Sequence, residues 1–395
     1  MVFILAGSML INNVKIINNE QPSSQIRIKD NKIIELNLFN NNNNENHNEL
    51  TFNFSNAIAF PGLINSHEHL DFNLFPKLRN RNYNDYVEWG NDINEKDREL
   101  IDTIKEVPIE LSYKWGLYKN LICGVTTVIN HGNYLNKHYK NLPDVYSNYN
   151  YIHSIRFEKK WKFKILLTPN WRPFVIHIGE GTNEESINEI NKLIRWNILG
   201  RDIIGIHSIA ANDKQGKHFK AIVWCPDSNL FLFNKTTNIP LLKSCTNILF
   251  GTDSTLTADW NFWNHLRLAR DLNYLNDSEL FLSISEKASK IWGLKTKGEI
   301  AVNKLADIVI CKKKHSSNWE SFYKINPEDI LLILKNGNVV FIDSEIILQQ
   351  QDIYKNDLDV IYINSVKKYI TKGIRELVQS IHTILPDFCF PMSIP

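Results

Sequence analysis

The stretch PGLINSHEHL at residues 61–70 joins a short apolar strand pattern to two histidines in the order His-x-His. Side chains at positions i and i+2 of a β-strand point to the same side, so His67 and His69 can reach one metal ion together. The pair closes the first apolar strand of a repeating strand-and-helix pattern, and barrels built of such units place their active sites at this end of the strands. The stretch therefore predicts a barrel with a metal site at its mouth.

From Pro61 onward, apolar strand-like segments alternate with amphipathic stretches, which is typical of βα units around a parallel sheet. Helical periodicity lies between the strands, as in residues 184–199 and 263–272. The fourth unit is compressed, because only about 20 residues separate the third strand from the fifth. Eight strands are predicted, the number that a closed barrel requires: 62–66, 126–130, 151–156, 164–168, 174–178, 203–209, 221–225 and 247–251.

Both ends of the chain predict β structure without a barrel. Short strand-like runs occupy residues 1–60, among them 8–17 and 25–36, and the polar run 40–47 is predicted to be a hairpin tip on the surface. Strand-like runs return at 298–302, 307–311 and 330–342, the last with an Asn336-Gly337 turn. We expect a distorted (β/α)8 barrel at 61–295, a composite β-sandwich from 1–60 and 296–345, and a C-terminal helical extension at 346–395 with its helix at roughly 363–385.

Composition narrows the classes of function. Lysine and arginine number 45 against 43 acidic residues, a net charge of +2, so no strong field would recruit nucleic acid, anionic lipid or a polyanionic substrate. The five scattered cysteines form no disulfide framework, and no apolar run approaches the ~20 residues that cross a bilayer. The apolar start, residues 1–11, has no basic segment before it and predicts a first strand rather than a secretion signal. We expect a cytoplasmic protein that acts on a small molecule.

Further strand ends supply metal-binding and acid-base side chains. His177 ends the fifth predicted strand with Glu180 three residues later, His207 ends the sixth, and Asp253 follows the last. Three histidines and an aspartate with one open position suit a hydrolytic zinc or ferrous site, where bound water loses its proton near pH ~7. Glu180 could shuttle protons between that water and a leaving group. A lone histidine there is more often structural and a lone aspartate a helix N-cap, but several such residues at one end of one barrel favour a shared site.

The chain resembles the amidohydrolase superfamily, specifically the branch of cytosine, guanine and S-adenosylhomocysteine deaminases and triazine hydrolases. The resemblance spans nearly the whole chain, and the motifs together are more specific than any one of them. The matching stretches are PGLINSHEHL at 61–70, GVTTVINHG at 124–132, VIHIGEG at 175–181, IHS at 206–208, WCPDSN at 224–229, FGTDS at 250–254 and GEIAVNKLADIVI at 298–310.

This resemblance implies a role for each matching residue. It implies that Glu180 is the acid/base, that His207 polarises a substituent of the attacked carbon or helps to hold the metal-bound water, and that Asp253 also accepts a proton from that water. No lysine is placed on the fourth strand to bridge two metals, since Lys164 looks like a solvated start residue, and Glu68 should face away from the metal. The implied ligands of one divalent metal, Zn²⁺ first and Fe²⁺ as the alternative, are His67, His69, His177 and Asp253.

The resemblance further implies attack by a metal-bound hydroxide on an amidine-like carbon of a small nucleobase- or nucleoside-like heterocycle, with loss of ammonia. The alternatives are a ring-opening amide hydrolase or a chlorohydrolase at the same site, and a catalytically inactive scaffold. A homodimer is expected from the resemblance alone. For His131 a pocket role and a structural role are both open, and for Arg156 anion recognition competes with a surface ion pair. The candidates for substrate contact are Asp71, Trp89, His131, Arg156, Trp171, Arg172 and Asn229.

Overall fold

The computed structural model describes residues 8–18, 23–38, 49–132, 135, 137, 139–350 and 357–395. The predicted hairpin tip at 40–47 lies outside these residues, as do the first seven residues of the chain. No helix within the described ranges is long and apolar enough to cross a membrane.

Strands and helices alternate over the middle of the chain, and strands dominate its ends. The strands are β1 Met9–Ile16, β2 Ser24–Lys29, β3 Lys32–Leu38, β4 Leu50–Pro61, β5 Leu63–Glu68, β6 Val125–Asn130, β7 Asp144–Tyr146, β8 Asn150–Ile152, β9 Phe174–Ile178, β10 Ile203–His207, β11 Ala221–Trp224, β12 Asn247–Phe250, β13 Ile308–Lys312, β14 Ile330–Lys335, β15 Asn338–Asp343, β16 Leu358–Ile363 and β17 Val366–Thr371. The α-helices are α1 Tyr86–Lys96, α2 Arg98–Lys105, α3 Ile109–Ile122, α4 Trp161–Leu167, α5 Glu184–Trp196, α6 Asp213–Gly216, α7 Pro226–Phe233, α8 Ile239–Leu242, α9 Phe262–Asp271, α10 Asp277–Leu282, α11 Glu286–Trp292, α12 Asn318–Tyr323, α13 Ser344–Ile347 and α14 Ile374–Ile384.

Strands β5 to β12 form the predicted barrel, with helices between them. Strands β5, β6 and β7 make one parallel sheet and β8 to β12 make a second, which gives eight strands in all. The first and last strands meet where the amides of Thr252 and Asp253 each donate a hydrogen bond to the His67 carbonyl at 3.1 Å. The barrel and its strand number are therefore confirmed.

The fourth predicted strand is wrong. Residues 164–168 lie largely in helix α4, which buries Trp161 and Ile165, four positions apart, and exposes Phe163 and Leu167. A short apolar run cannot be assigned to strand or helix from its periodicity alone. The missing strand is β7, whose three half-buried residues carry no apolar run to detect. Lys164 is thus a helix residue that forms an ion pair with Glu158, and it does not bridge metal ions.

The two ends of the chain build one mixed sheet of nine strands in the order β16-β17-β15-β14-β13-β4-β1-β2-β3. Strand β13 pairs antiparallel with β4, which joins the C-terminal part to the N-terminal part as expected. The predicted Asn336-Gly337 turn connects β14 and β15. The sheet curls back on itself, because the Ile33 amide donates to the Lys304 carbonyl at 3.0 Å and the Asn303 amide donates to the Ile33 carbonyl at 2.8 Å.

The C-terminal extension is not purely helical, so this expectation is corrected. Helix α14 begins at Ile374 rather than near residue 363. The preceding residues form the hairpin β16–β17, which extends the nine-stranded sheet through β15. Asn364 and Ser365 at its tip both have positive φ, at 46° and 66°, as a tight hairpin turn requires.

The carboxylate of Asp307 joins the sheet to the barrel. It accepts hydrogen bonds from Lys297 Nζ at 2.6 Å, from Thr126 Oγ1 of β6 at 3.3 Å and from the Asn336 amide at 2.6 Å. Lys297 also donates to Asp144 of β7 at 2.8 Å. Because these groups are largely removed from water, the loss of one partner leaves an uncompensated buried charge.

Replacing Lys297 with Met should therefore lower the free energy of unfolding by about 3–5 kcal/mol, since Asp307 would lose its charged partner. The matched control is Lys295→Met, which removes an exposed lysine two residues away and should change stability little. Denaturant unfolding followed by circular dichroism measures both. Equal effects of the two variants would show that Asp307 does not depend on this ion pair.

Candidate active site

The carboxyl ends of the barrel strands deliver the predicted site residues to one place. His67 lies in β5 with His69 just beyond it, His177 lies in β9, and His207 ends β10. Asp253 follows β12 and, like His207, has a positive φ, at 61° and 62° respectively. Non-glycine residues rarely adopt this conformation, and such strained backbone clusters at functional sites.

Three imidazole nitrogens and one carboxylate oxygen converge on a single point. The Nε2 atom of His177 lies 3.2 Å from Nε2 of His67 and 3.3 Å from Nε2 of His69. Asp253 Oδ1 lies 3.7 Å from the Nε2 atoms of both His67 and His69. Two donor atoms bound to one ion at ~2.0–2.1 Å can lie at most about 4.2 Å apart, and these four distances are within that limit, so these residues could hold one divalent ion together.

Burial prepares these groups for metal binding. Burial, and next the neighbouring His67, lower the pKa of His69 well below its ordinary value, and burial with His131 does the same for His177. Imidazole must be neutral to bind a metal, so the shifts favour the binding form. Burial would raise the pKa of Asp253, but the hydrogen bond and charge of His67 and the other histidines hold that pKa well below its usual range.

Two hydroxyl groups fix the orientation of the Asp253 carboxylate. Ser228 Oγ donates to Asp253 Oδ2 at 2.7 Å and Thr257 Oγ1 donates to the same oxygen at 2.9 Å. These bonds leave Oδ1 directed at the histidines. Ser228 belongs to helix α7, so the segment after β11 holds the ligand that follows β12.

Glu180 and His207 lie side by side next to the histidine cluster. Glu180 Oε1 is 3.7 Å from His207 Nε2, which in turn is 3.9 Å from Asp253 Oδ2. Burial, and then the charges of Asp253 and Glu189, raise the pKa of Glu180 well above its ordinary value. Burial lowers the pKa of His207 to about 4, so the imidazole is neutral near pH ~7.

Asn229 holds His207 instead of contacting substrate, which corrects the expectation. His207 Nδ1 donates to Asn229 Oδ1 at 2.8 Å, and Asn229 is fully buried. The Thr237 hydroxyl donates its only proton to the His207 carbonyl. The Thr237 oxygen is therefore the acceptor in its 3.3 Å contact with Asn229 Nδ2. These bonds orient the Asn229 side chain so that its Oδ1 atom faces His207 Nδ1. The proton of His207 is then on Nδ1, and the lone pair of Nε2 faces Glu180 and Asp253.

Glu68 faces away from the cluster, as expected. It is fully buried and forms an ion pair with Lys119 of α3 at 2.9 Å. It also accepts hydrogen bonds at 3.0–3.2 Å, from Asn65, Asn73, Asn120 and Thr252. Charged groups buried with this many partners fix the backbone around them, here the backbone that carries His67 and His69.

Two further histidines join the cluster. His131 follows β6, and its ring centroid lies 4.3 Å from that of His177; the ring is buried and is not among the residues that line the cavity, so it is not placed to contact a substrate. His153 stacks on His177 with ring centroids 4.7 Å apart and lines the cavity. Sequence reasoning missed His153 because strand β8 ends at Ile152, whereas the third predicted strand ran on to residue 156. A histidine directly after an apolar pair was the available signal.

Neither Arg156 nor Trp171 lines the cavity; this is contrary to expectation for Trp171, whereas for Arg156 the ion-pair alternative is favoured over anion recognition. The Arg156 guanidinium is engaged with Asp85 at 2.9 Å, with Glu185 at 3.4 Å and with Glu189 at closer range. Trp171 is 78% exposed and precedes β9, which places it at the amino end of the strand, opposite to the site. Of the remaining candidates, Trp89 lines the cavity, whereas Asp71 and Arg172 are not among its lining residues.

The cavity above the histidine cluster has a volume of about 360 Å³, and aromatic and histidine side chains form much of its lining. Its floor includes His69, His177, Glu180, His207 and Asp253. Lys105 is the only Lys or Arg among its described lining residues. The aromatic walls are Phe72, Phe75, Tyr86, Trp89 and Phe157.

Comparisons with known proteins agree with this architecture. The model of the Amidohydrolase family matches residues 173–340. No curated protein matches the chain by sequence. An adenosine deaminase from Xanthomonas campestris with bound zinc is similar in structure, with a TM-score of 0.69, 13% identity, and coverage of 96% of this chain and 98% of that one.

Two further solved structures are similar at 14% identity. Atrazine chlorohydrolase from Arthrobacter aurescens complexed with zinc has a TM-score of 0.64 and covers 96% of this chain and 100% of its own. N-isopropylammelide isopropylaminohydrolase from Burkholderia multivorans has a TM-score of 0.61 and covers 84% of this chain and 98% of its own. At such identities the likeness establishes the fold.

Removing the Asn229 side-chain amide should remove the preference of the His207 ring for carrying its proton on Nδ1. In Asn229→Ala we expect the population with the proton on Nδ1 to fall about tenfold relative to Nε2, since one hydrogen bond is lost. The ¹⁵N chemical shifts of the histidine ring measure this ratio in the purified protein. Thr236→Val is the control, because it removes a partner of Asn229 Nδ2 and leaves Oδ1 untouched; a matching shift there would contradict the assignment.

Proposed function

We propose that the chain is a metal-dependent hydrolase of the amidohydrolase superfamily that removes ammonia from a small heterocycle, and the match of the Amidohydrolase family model to residues 173–340 supports this proposal. One observation carries the proposal: His67, His69, His177 and Asp253 converge at 3.2–3.7 Å beside the buried pair of Glu180 and His207. A structural histidine cluster would not need an acid-base carboxylate aimed at its open side.

The metal would be held by His67, His69, His177 and Asp253. Zinc is the first choice, in keeping with imidazole and carboxylate donors, and ferrous iron is the alternative. When bound, the ion supplies Lewis acidity and lowers the pKa of a water molecule to ~7. The solved structures of the Xanthomonas deaminase and the Arthrobacter chlorohydrolase contain zinc, which supports this choice.

Glu180 holds the proton that the reaction must move. Its carboxylate lies on the cavity floor, 3.7 Å from His207 Nε2, and its environment favours the protonated form. A carboxyl group in that state can deliver its proton to a leaving nitrogen and regain one from the attacking water. Glu180 therefore acts as the general acid and base.

His207 orients the attacking water. Since its Nδ1–H is engaged by Asn229, its Nε2 is a hydrogen-bond acceptor. An acceptor suits the O–H of a water molecule, whereas a donor would be needed to polarise an electron-rich substituent of the substrate. Of the two roles implied by the resemblance, holding the attacking water is thus better supported than polarising a substituent of the substrate. Asp253 lies 3.9 Å from the same Nε2 and can accept the second proton of the water.

The cavity sets the size and character of the substrate. A volume of about 360 Å³ is near the lower end of small-molecule sites, and its walls are aromatic. Flat rings gain favourable contacts against such walls. Among the described lining residues Lys105 is the one Lys or Arg, so the cavity offers a phosphate group little positive charge. We expect a neutral, planar, nucleobase-like heterocycle; a cytoplasmic location and a homodimer stay predictions.

A second reaction type at the same site is favoured by the comparisons. The similar structures include an atrazine chlorohydrolase and an isopropylaminohydrolase, whose names indicate leaving groups other than ammonia. Attack of water on a ring carbon is common to the loss of ammonia, alkylamine and chloride. Which group leaves depends on which substituent of the substrate the cavity holds next to Glu180. Product analysis for ammonia, alkylamine, chloride and ring-opened acid separates the alternatives.

Elemental analysis of protein purified without chelator should find about one zinc or iron per chain, since the donor set fits one ion. The same protein should release ammonia from at least one member of a panel of purines, pyrimidines, adenosyl compounds and triazines. One metal per chain with another product would shift the proposal to the second reaction type. Absence of metal would refute the hydrolase proposal.

Replacing Glu180 with Gln should lower kcat by about 10²–10⁴-fold while the metal content stays at the wild-type level, because only the proton carrier is lost. Glu184→Gln is the matched control, since Glu184 is an exposed carboxylate four residues away at the start of α5. Steady-state kinetics and elemental analysis on both variants make the comparison. Wild-type turnover in Glu180→Gln would remove this residue from the mechanism.

A further inference from the structure

His131 is a buried histidine whose ring makes no hydrogen bond of normal geometry within the described residues. It is 1% exposed, and both ring nitrogens are without a partner. Buried polar groups in native structures are almost always satisfied, so an unsatisfied imidazole in an enzyme site needs an explanation.

The backbone holds this ring against the metal cluster. The His131 amide donates to the Glu68 carbonyl at 2.7 Å, which ties the end of β6 to the His-x-His stretch. The ring centroid lies 5.6 Å from His67 and 5.7 Å from His69, in addition to its contact with His177. A ring nitrogen of His131 lies within 4.8 Å of the donor nitrogens of both His67 and His177.

Two groupings of donor atoms are therefore present, and they share His67. One consists of His67, His131 and His177, and the other of His67, His207 and Asp253. In the second grouping, His207 is turned by its bond to Asn229, so its free nitrogen faces Glu180. No such bond turns His131 away from the first grouping.

We infer that His131 is a further ligand of the metal, so that the ion is held by four imidazoles and one carboxylate. This inference rests on the proposed function, since it concerns the same ion. A fourth imidazole from β6 explains why a polar ring is buried without partners, because metal binding satisfies one nitrogen.

The extra donor changes what the site prefers. Five protein donors exceed the tetrahedral set typical of zinc hydrolases, which keep three protein ligands and one open position. A higher coordination number suits ions such as Fe²⁺ and Co²⁺ at least as well as Zn²⁺. The visible spectrum of bound Co²⁺ responds to coordination number and therefore reports on His131 directly.

The test uses metal-depleted full-length protein titrated with Co²⁺ alone. His131→Phe keeps a ring of similar size but has no donor nitrogen, and His153→Phe is the matched control at a neighbouring ring outside both donor groupings. We expect His131→Phe to weaken Co²⁺ binding by about 100-fold or more and to change the visible bands, since even outer partners are worth ~10–100-fold. His153→Phe should stay within about 3-fold of wild type.

The outcomes are distinguishable. Wild-type protein that binds no stoichiometric Co²⁺ would overturn the proposed function itself. Stoichiometric binding with the same spectrum and affinity in His131→Phe as in wild type would overturn only the inference. Equal losses in His131→Phe and His153→Phe would also overturn it, because packing of the rings would then be the cause. His131→Ala is measured in parallel, and circular dichroism of the metal-free variants confirms that each is folded.

Discussion

The site depends on holding imidazole nitrogens closer together than charged groups would tolerate. The Nε2 atom of His177 lies 3.2 Å from that of His67 and 3.3 Å from that of His69, in a region closed to water. Protonated imidazoles at these distances would repel one another, and burial disfavours their charge as well. The arrangement therefore favours neutral rings, and neutral imidazole is the form that binds a cation, which is why we propose the cluster as a metal site.

The barrel meets this constraint through its backbone. Both Thr252 and Asp253 donate amide hydrogen bonds to the carbonyl of His67, so the proposed ligands from the first and last strands are held close together. Gly251 permits this approach, because a Cβ there would lie 2.7 Å from the Cβ of His67. Behind the cluster, Glu68 and Lys119 form a buried ion pair that anchors β5 to α3. Such pairs add little net stability compared with apolar packing, but breaking one is costly, so they fix geometry more than they stabilise the fold.

Sequence patterns predicted what depends on local periodicity and residue type. The barrel and seven of its eight strands follow from apolar runs, and most residues of the cluster follow from the histidine or aspartate at the ends of these runs. The errors arose where tertiary context decides. Strand β7 is three half-buried residues, and helix α4 reads as a strand because its apolar residues are contiguous. His153 was missed because β8 ends earlier than its pattern suggests. No sequence signal distinguishes an asparagine that contacts substrate from one that, like Asn229, holds a histidine.

Most of the proposed acid-base and metal-binding residues and most of the cavity wall come from different parts of the chain. His177, Glu180, His207 and Asp253 lie within residues 173–340, the segment that matches the family model, whereas His67 and His69 lie before it. Most of the cavity wall instead comes from residues 72–105, where Phe72, Phe75, Tyr86, Trp89 and Lys105 lie on α1, α2 and the segment before them. Since this segment lies outside the matched range, the family match constrains the reaction and leaves the substrate open. The substrate class therefore has to be derived from the shape and charge of the wall that residues 72–105 provide, which favours a flat, neutral ring.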